Sequence, residues 1–184
     1  MEEPSQIKEI LFEEIKKIPE KELQKLFENE NYSKLIKTLF EKILPRISNV
    51  KGETSEKLGI LSESISHYIL TEMLIPSQRK IFYKNIEVDI VIPNLTMIKN
   101  RSGDTIIIHF AKSSNIETVQ KKIDELQTIQ RDIKNIWVVL HDKMSLSCKT
   151  YLLKNNENSF SNLFTDVKNF VVNKKLDKLK IFKT

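Results

Sequence analysis

Apolar residues recur at helical spacing through the first quarter of the chain. Between residues 5 and 47 they stand three and four positions apart, with Glu and Lys between them, which is typical of amphipathic helices. Pro19 and Pro45 are expected to end the first and the third of three such helices. Each apolar stripe needs a surface to cover it, either the rest of the chain or a second subunit. Residues 48–52 form the best boundary with the remainder.

Beyond residue 52 the pattern changes between helical and strand periods. Residues 54–74 and 116–133 have helical spacing, whereas the runs around them are rich in β-branched residues. The predicted strands are Arg79–Lys84, Ile86–Pro93, Thr105–Ala111 and Ile136–Leu140, with Asn94–Asp104 as a connecting loop. Near the C-terminus, Tyr151–Leu153 and Phe160–Val172 are predicted to be helical and Leu179–Phe182 to be a last strand.

This order of elements predicts an α/β fold with a mixed β-sheet flanked by helices. The short connections favour antiparallel pairing of the first three strands, and the strand–helix–strand step over 105–140 predicts a parallel, right-handed crossover. We expect a helical N-terminal extension over residues 1–50 and an α/β core over residues 51–184.

The composition excludes several classes of protein. With only 3 Gly among 184 residues, no Gly-rich phosphate-binding loop can be written. One cysteine, Cys148, allows neither an internal disulfide nor a cysteine-rich zinc site. No apolar run approaches the roughly 20 residues of a membrane span, and the N-terminus does not resemble a secretory signal. A cytoplasmic location is therefore expected.

The positive charge is concentrated after residue 50. The net charge is +5; residues 1–50 carry 9 basic against 10 acidic side chains, and residues 51–184 carry 21 against 15. A basic surface suits a polyanion such as nucleic acid, although Lys-rich surfaces also serve solubility. Because 26 of the 30 basic residues are Lys, contacts with the phosphate backbone are expected rather than base reading.

Three residues suggest a chemical site. Glu63 lies on the helix before the sheet, Asp89 lies within the apolar run Ile86–Pro93, and Lys112 ends the third strand. A carboxylate inside an apolar strand is costly unless it is paired, hydrogen-bonded or bound to a metal. Two converging carboxylates can hold Mg²⁺, and a nearby Lys can orient water and stabilise developing phosphate charge.

In this order and spacing, residues 52–142 resemble the PD-(D/E)XK nuclease superfamily, which includes restriction-endonuclease-like domains and archaeal Holliday-junction resolvases. The segment Glu87–Ile92 is similar to the strand that bears the family's Asp. The resemblance implies a restriction-endonuclease-like sheet, with Glu63, Asp89 and Lys112 as catalytic residues. It also implies Mg²⁺ or Mn²⁺ as cofactor, metal-dependent endonuclease activity on DNA rather than RNA, and a homodimer, since many such enzymes cut one strand per active site.

One position departs from the family pattern. The second acid of the family stands two residues before the Lys, and here that residue is Phe110. Strand alternation puts Phe110 and Lys112 on one face and His109 on the other, so His109 can replace the acid only if the strand bulges. Glu87 is the other candidate ligand beside Glu63 and Asp89.

The departure leaves three functions open. The first is metal-dependent hydrolysis of DNA, with His109 favouring Mn²⁺ if it is a ligand. The second is an inactive nuclease-fold module that binds nucleic acid or assembles with other proteins. The third is an unrelated structural α/β protein whose N-terminal helices mediate oligomerisation.

Overall fold

The computed structural model describes residues 3–154 and 159–181. Its helices are α1 (Glu3–Lys16), α2 (Glu20–Glu28), α3 (Tyr32–Ile47), α4 (Thr54–Glu72), α5 (Leu95–Asn100), α6 (Ile116–Gln127) and α7 (Asn162–Ile181). Its strands are β1 (Gln78–Tyr83), β2 (Ile86–Ile92), β3 (Ile106–Phe110), β4 (Ile136–Leu140) and β5 (Lys149–Leu152).

The five strands form one mixed sheet in the order β1-β2-β3-β4-β5. The β1–β2 and β2–β3 pairs are antiparallel, and the β3–β4 and β4–β5 pairs are parallel. The crossover from β3 to β4 runs through α6. The side chain of Asn115 caps the N-terminus of this helix by accepting hydrogen bonds from the backbone amides of Glu117 and Thr118. The predicted α/β class and mixed sheet flanked by helices are confirmed.

Helix α4 packs on one face of the sheet, and the N-terminal helices pack against it through α1. Apolar residues of α1 and α3 share a buried cluster with α4, α7 and the sheet residues Ile90, Ile108 and Phe110. Arg46 on α3 also binds Glu14 on α1, with Nη1 2.6 Å from Oε1. The apolar stripes of these helices are thus covered by the chain itself.

A second buried cluster lies on the opposite face. It joins α6 to Val91, Ile107 and Val138 of the sheet. Residues of β3 alternate regularly between the two clusters, because successive side chains of a strand point to opposite faces. No helix in the described part of the chain is long and apolar enough to cross a membrane.

Four predicted elements differ from the structure. Tyr151–Leu153, predicted to be helical, largely belongs to β5, because pairing with β4 decides a segment too short to show a period. Residues 179–181 are helical rather than a strand, and Phe182 lies outside the described residues. The connection 94–104 contains α5, capped by the Asn94 side chain. Helix α3 continues past Pro45 to Ile47.

Candidate functional site

The sheet is interrupted where Asp89 lies. The β1–β2 ladder pairs Arg79 with Ile90 and Ile81 with Val88, and has no rung between them. Lys80, opposite Asp89 in this register, has a φ of 49°, in the left-handed region that non-glycine residues rarely adopt. As a result Arg79 faces α4 whereas Ile81 packs with the second cluster, so the simple alternation of β1 is broken at Lys80.

On the side of β3, the carboxylate of Asp89 takes the place of a main-chain hydrogen-bond acceptor. The β2–β3 ladder ends at the pair Ile90–Ile108. Two residues further along β3, the backbone amide of Phe110 donates a hydrogen bond to Asp89 Oδ2 at 2.9 Å. A backbone N–H buried in a sheet must find an acceptor, and here a side-chain carboxylate supplies it. The carboxylate is thereby fixed between the two separating strands.

Asp89 has two further partners. Its Oδ2 lies 2.7 Å from Nδ1 of His109, and its Oδ1 lies 3.2 Å from Nζ of Lys112. Burial alone would raise the pKa of Asp89, which is only 6% exposed, but the hydrogen bond and charge of His109, the charge of Lys112 and the Phe110 amide hold this pKa well below its usual range. The side chain is therefore an anion at neutral pH.

Glu63 reaches the same point from α4. It is 1% exposed; its Oε1 lies 2.9 Å from Nη2 of Arg79, and its Oε2 lies 3.4 Å from Nζ of Lys112. Two cations thus neutralise a carboxylate that would otherwise be too costly to bury.

Lys112 links the two carboxylates. It follows the end of β3, and its ammonium group lies within 3.4 Å of both Glu63 and Asp89. Burial alone would lower the pKa of Lys112, but the charges of Asp89 and Glu63 raise it above its usual value. The structure therefore brings together the three residues that were predicted to form the site.

Two residues that sequence reasoning missed complete the site. Arg79 gave no signal, because its approach to Glu63 depends on the irregular backbone at Lys80. Gly59 did give a signal, because it is one of only 3 Gly in the sequence and it lies inside an α-helix. A β-carbon at Gly59 would lie 2.8 Å from both the Ala111 carbonyl oxygen and Lys112 Cγ. Glycine therefore allows α4 to approach the segment that carries Lys112.

The two additional ligands considered from the sequence both border this site. Glu87 and His109 line a cleft of about 400 Å³ together with Asp89, Lys112 and residues of α6. His109 reaches Asp89 without a bulge in β3, because the irregularity lies in β1 and β2 instead. Phe110 is fully buried in the first cluster, so the position of the family's second acid belongs to the core.

The arrangement does not fit a divalent ion. Every carboxylate oxygen of Glu63 and Asp89 already has a cationic or N–H partner within 3.4 Å. Within residues 3–154 and 159–181, no group of three or more His, Cys, Asp or Glu side chains is placed to hold a metal. Metal sites of this type need carboxylate oxygens that are free to bind. The positive charge that a metal would supply comes here from Arg79 and Lys112.

Comparison with known proteins gives one low-level structural match. No family model matches the chain. No curated protein matches it either. The chain is similar to a solved structure described as "Metal-depleted Ecl18kI in complex with uncleaved, modified DNA", with 17% identity and a TM-score of 0.46 over 88% of this chain and 59% of that chain. A similarity of this degree supports no inference about activity or ligands.

Proposed function

We propose that the chain is a protein of the PD-(D/E)XK nuclease type that acts on DNA by binding its phosphate backbone, without metal-dependent hydrolysis. The observation that carries this proposal is the convergence of Glu63, Asp89 and Lys112, which come from three separate elements and meet within 3.4 Å. Their elements, α4, β2 and the end of β3, follow in the order that the family resemblance requires.

The same cluster argues for binding rather than cleavage. Phe110 stands where the family has its second acid, and both remaining carboxylates are held by Arg79, Lys112 and His109. A cluster with paired charges stabilises the end of the sheet but leaves no open position for an ion and its water. The net charge of +5 and the excess of Lys favour contact with the phosphate backbone.

DNA affinity measured at several salt concentrations tests the proposal, with Mn²⁺ and Mg²⁺ titrations by calorimetry alongside. We expect binding that weakens steeply with salt, because lysines that neutralise phosphates release counterions. We also expect no heat of metal binding and no cleavage of linear or branched DNA. A salt-insensitive dimer without DNA affinity would contradict the proposal and support an oligomeric structural protein.

The convergence of Glu63, Asp89 and Lys112 also favours a second candidate function, metal-dependent hydrolysis of a phosphodiester. In that case Lys112 would have to release the carboxylates. The calorimetric titration decides between the two candidates when Asp89→Ala is run beside the wild type. Metal binding and cleavage that are both lost in Asp89→Ala would establish the enzyme and overturn the binding-only proposal.

A further inference from the structure

One aromatic side chain stands exposed on the edge strand beside the cleft. Phe82 is 68% exposed, although its neighbours Ile81 and Tyr83 pack against the second cluster. In the β1–β2 register Phe82 lies opposite Glu87, which lines the cleft. Side chains paired across strands have β-carbons roughly 5 Å apart, so Phe82 lies beside Glu87 without itself lining the cleft.

Phe82 stands among basic residues of the hairpin. Lys80 is exposed and stands two residues before Phe82, no more than about 7 Å away along the strand. Helix α1 brings Lys8 next to Lys80 and Arg79. From residue 78 to residue 87 the hairpin carries three basic side chains and one acidic one, Glu87. An exposed aromatic ring among lysines is the arrangement by which proteins hold single-stranded nucleic acid.

The crowding of these cations indicates an anionic partner. Burial, together with the charges of Lys80 and Arg79, lowers the pKa of Lys8. The charge of Glu63 opposes this effect, but its Oε1 is bound by Arg79 and its Oε2 by Lys112. The Nε of Arg79 is buried without a hydrogen-bond partner among the described residues. A phosphate at Lys8 and Lys80 would relieve this repulsion.

We propose that this face of the β1–β2 hairpin binds an unpaired stretch of DNA, with Phe82 stacked on a base and with Lys80 and Lys8 on the adjoining phosphates. The proposal rests on the proposed function and adds to it the kind of substrate, a strand with accessible bases. It also gives α1 a direct part in binding. A duplex, whose bases are stacked on one another, could use the lysines but not the ring.

Fluorescence anisotropy with three labelled probes of equal length tests the stacking. The probes are a single strand, the same backbone with abasic sites, and a duplex. Because base stacking contributes about 1–3 kcal/mol per base, Phe82→Ala should weaken binding of the single strand by roughly five- to 150-fold. Binding of the other two probes should not change. Phe82→Trp should preserve the affinity, and Leu74→Ala, which removes a more exposed apolar side chain outside the β1–β2 hairpin, should have no effect.

The phosphate contacts have a separate readout. Lys80→Gln and Lys8→Gln should each reduce the slope of log affinity against log salt by roughly 1 on every probe. Lys42→Gln, an exposed lysine of α3, is the matched control and should leave the slope unchanged. Unchanged slopes for both Lys8→Gln and Lys80→Gln would overturn the assignment of phosphates to these residues.

The outcomes separate this inference from the proposed function. If the wild type binds the duplex with a steep salt dependence but Phe82→Ala affects all three probes equally or none, the inference fails and the proposed function stands. If the wild type binds none of the probes, the proposed function fails and the inference fails with it.

Discussion

Lys112 packs its side chain directly against Gly59, at a place where any β-carbon on the helix would lie 2.8 Å from Lys112 Cγ. Since Lys112 is the residue that joins Glu63 to Asp89, the absence of a side chain at Gly59 sets the distance between α4 and the site. The geometry of the charged cluster thus depends on one small residue in the helix that carries Glu63.

Gly59→Ala should therefore destabilise the protein. Alanine favours a helix over glycine by about 1 kcal/mol, but overpacking against the Ala111 backbone costs about 1–3 kcal/mol, so we expect a net loss of up to about 2 kcal/mol. Urea denaturation measures it. Gly103→Ala is the control, because a β-carbon at Gly103 meets nothing within 4 Å. A more stable Gly59→Ala variant would show that the space between α4 and the Ala111 backbone can accommodate a methyl group.

The ionisation of Asp89 should couple stability to pH. Its folded pKa lies below the value of about 3.9 in an unfolded chain, so its contribution is present above about pH 4 and is lost as the pH falls toward the folded pKa. Asp89→Asn should cost roughly 3–5 kcal/mol at pH 7, because it leaves buried partners unpaired. The difference should shrink between pH 4 and pH 2.

Urea denaturation at pH 7, 4, 3 and 2 gives this comparison. Asp124→Asn, which changes an exposed carboxylate on α6, is the control and should behave as the wild type at each pH. A gap between Asp89→Asn and wild type that stays constant down to pH 2 would contradict the coupling.

Introducing an acid at position 110, where the family pattern has one, should unfold the chain rather than create a metal site. Phe110 is fully buried among apolar residues, so Phe110→Asp would bury a carboxylate without a partner and leave a cavity, at a cost of more than about 4 kcal/mol. Phe110→Leu keeps an apolar side chain and should cost less. Thermal melting followed by circular dichroism distinguishes them. A folded Phe110→Asp that binds Mn²⁺ would refute the assignment of this position to the core.

Arg79 and Glu63 should be strongly coupled. Arg79→Met leaves Glu63 with Lys112 as its remaining cation, and we expect a loss of roughly 3 kcal/mol, whereas the double variant with Glu63→Gln should lose less than the sum of the single changes. A double-mutant cycle by urea denaturation measures the coupling. The exposed pair Lys154–Asp142 is the matched comparison and should give under about 0.5 kcal/mol. Equal couplings would mean that burial adds nothing at Glu63.

The sequence predicted the elements whose residues have a clear period and missed those that depend on context. Residues 136–140 are β4 as predicted, because a short, continuously apolar run that follows a strand and a helix fits a buried strand. The strand at 149–152 was not predicted, since its four residues have no clear period. They form a strand because they pair with the edge of β4.

The same distinction applies to the site. Glu63, Asp89 and Lys112 could be predicted because an order of residue types along the chain suggested them. The contact of Arg79 with Glu63 could not, because it follows from the left-handed φ of Lys80, for which the sequence has no glycine or asparagine as a signal. Pairing of the carboxylates with Arg79 and Lys112, rather than with an ion, is likewise a property of the assembled site.

The hydrogen bond from the Phe110 amide to Asp89 gives the protein a built-in spectroscopic reporter. Most amides of a sheet sense only the neighbouring strand, but this proton senses the charge and position of a carboxylate that lines the cleft. Its chemical shift and its exchange with solvent will follow whatever approaches that carboxylate, be it a proton, a metal ion or a phosphate. One backbone resonance thus records the state of the whole charged cluster.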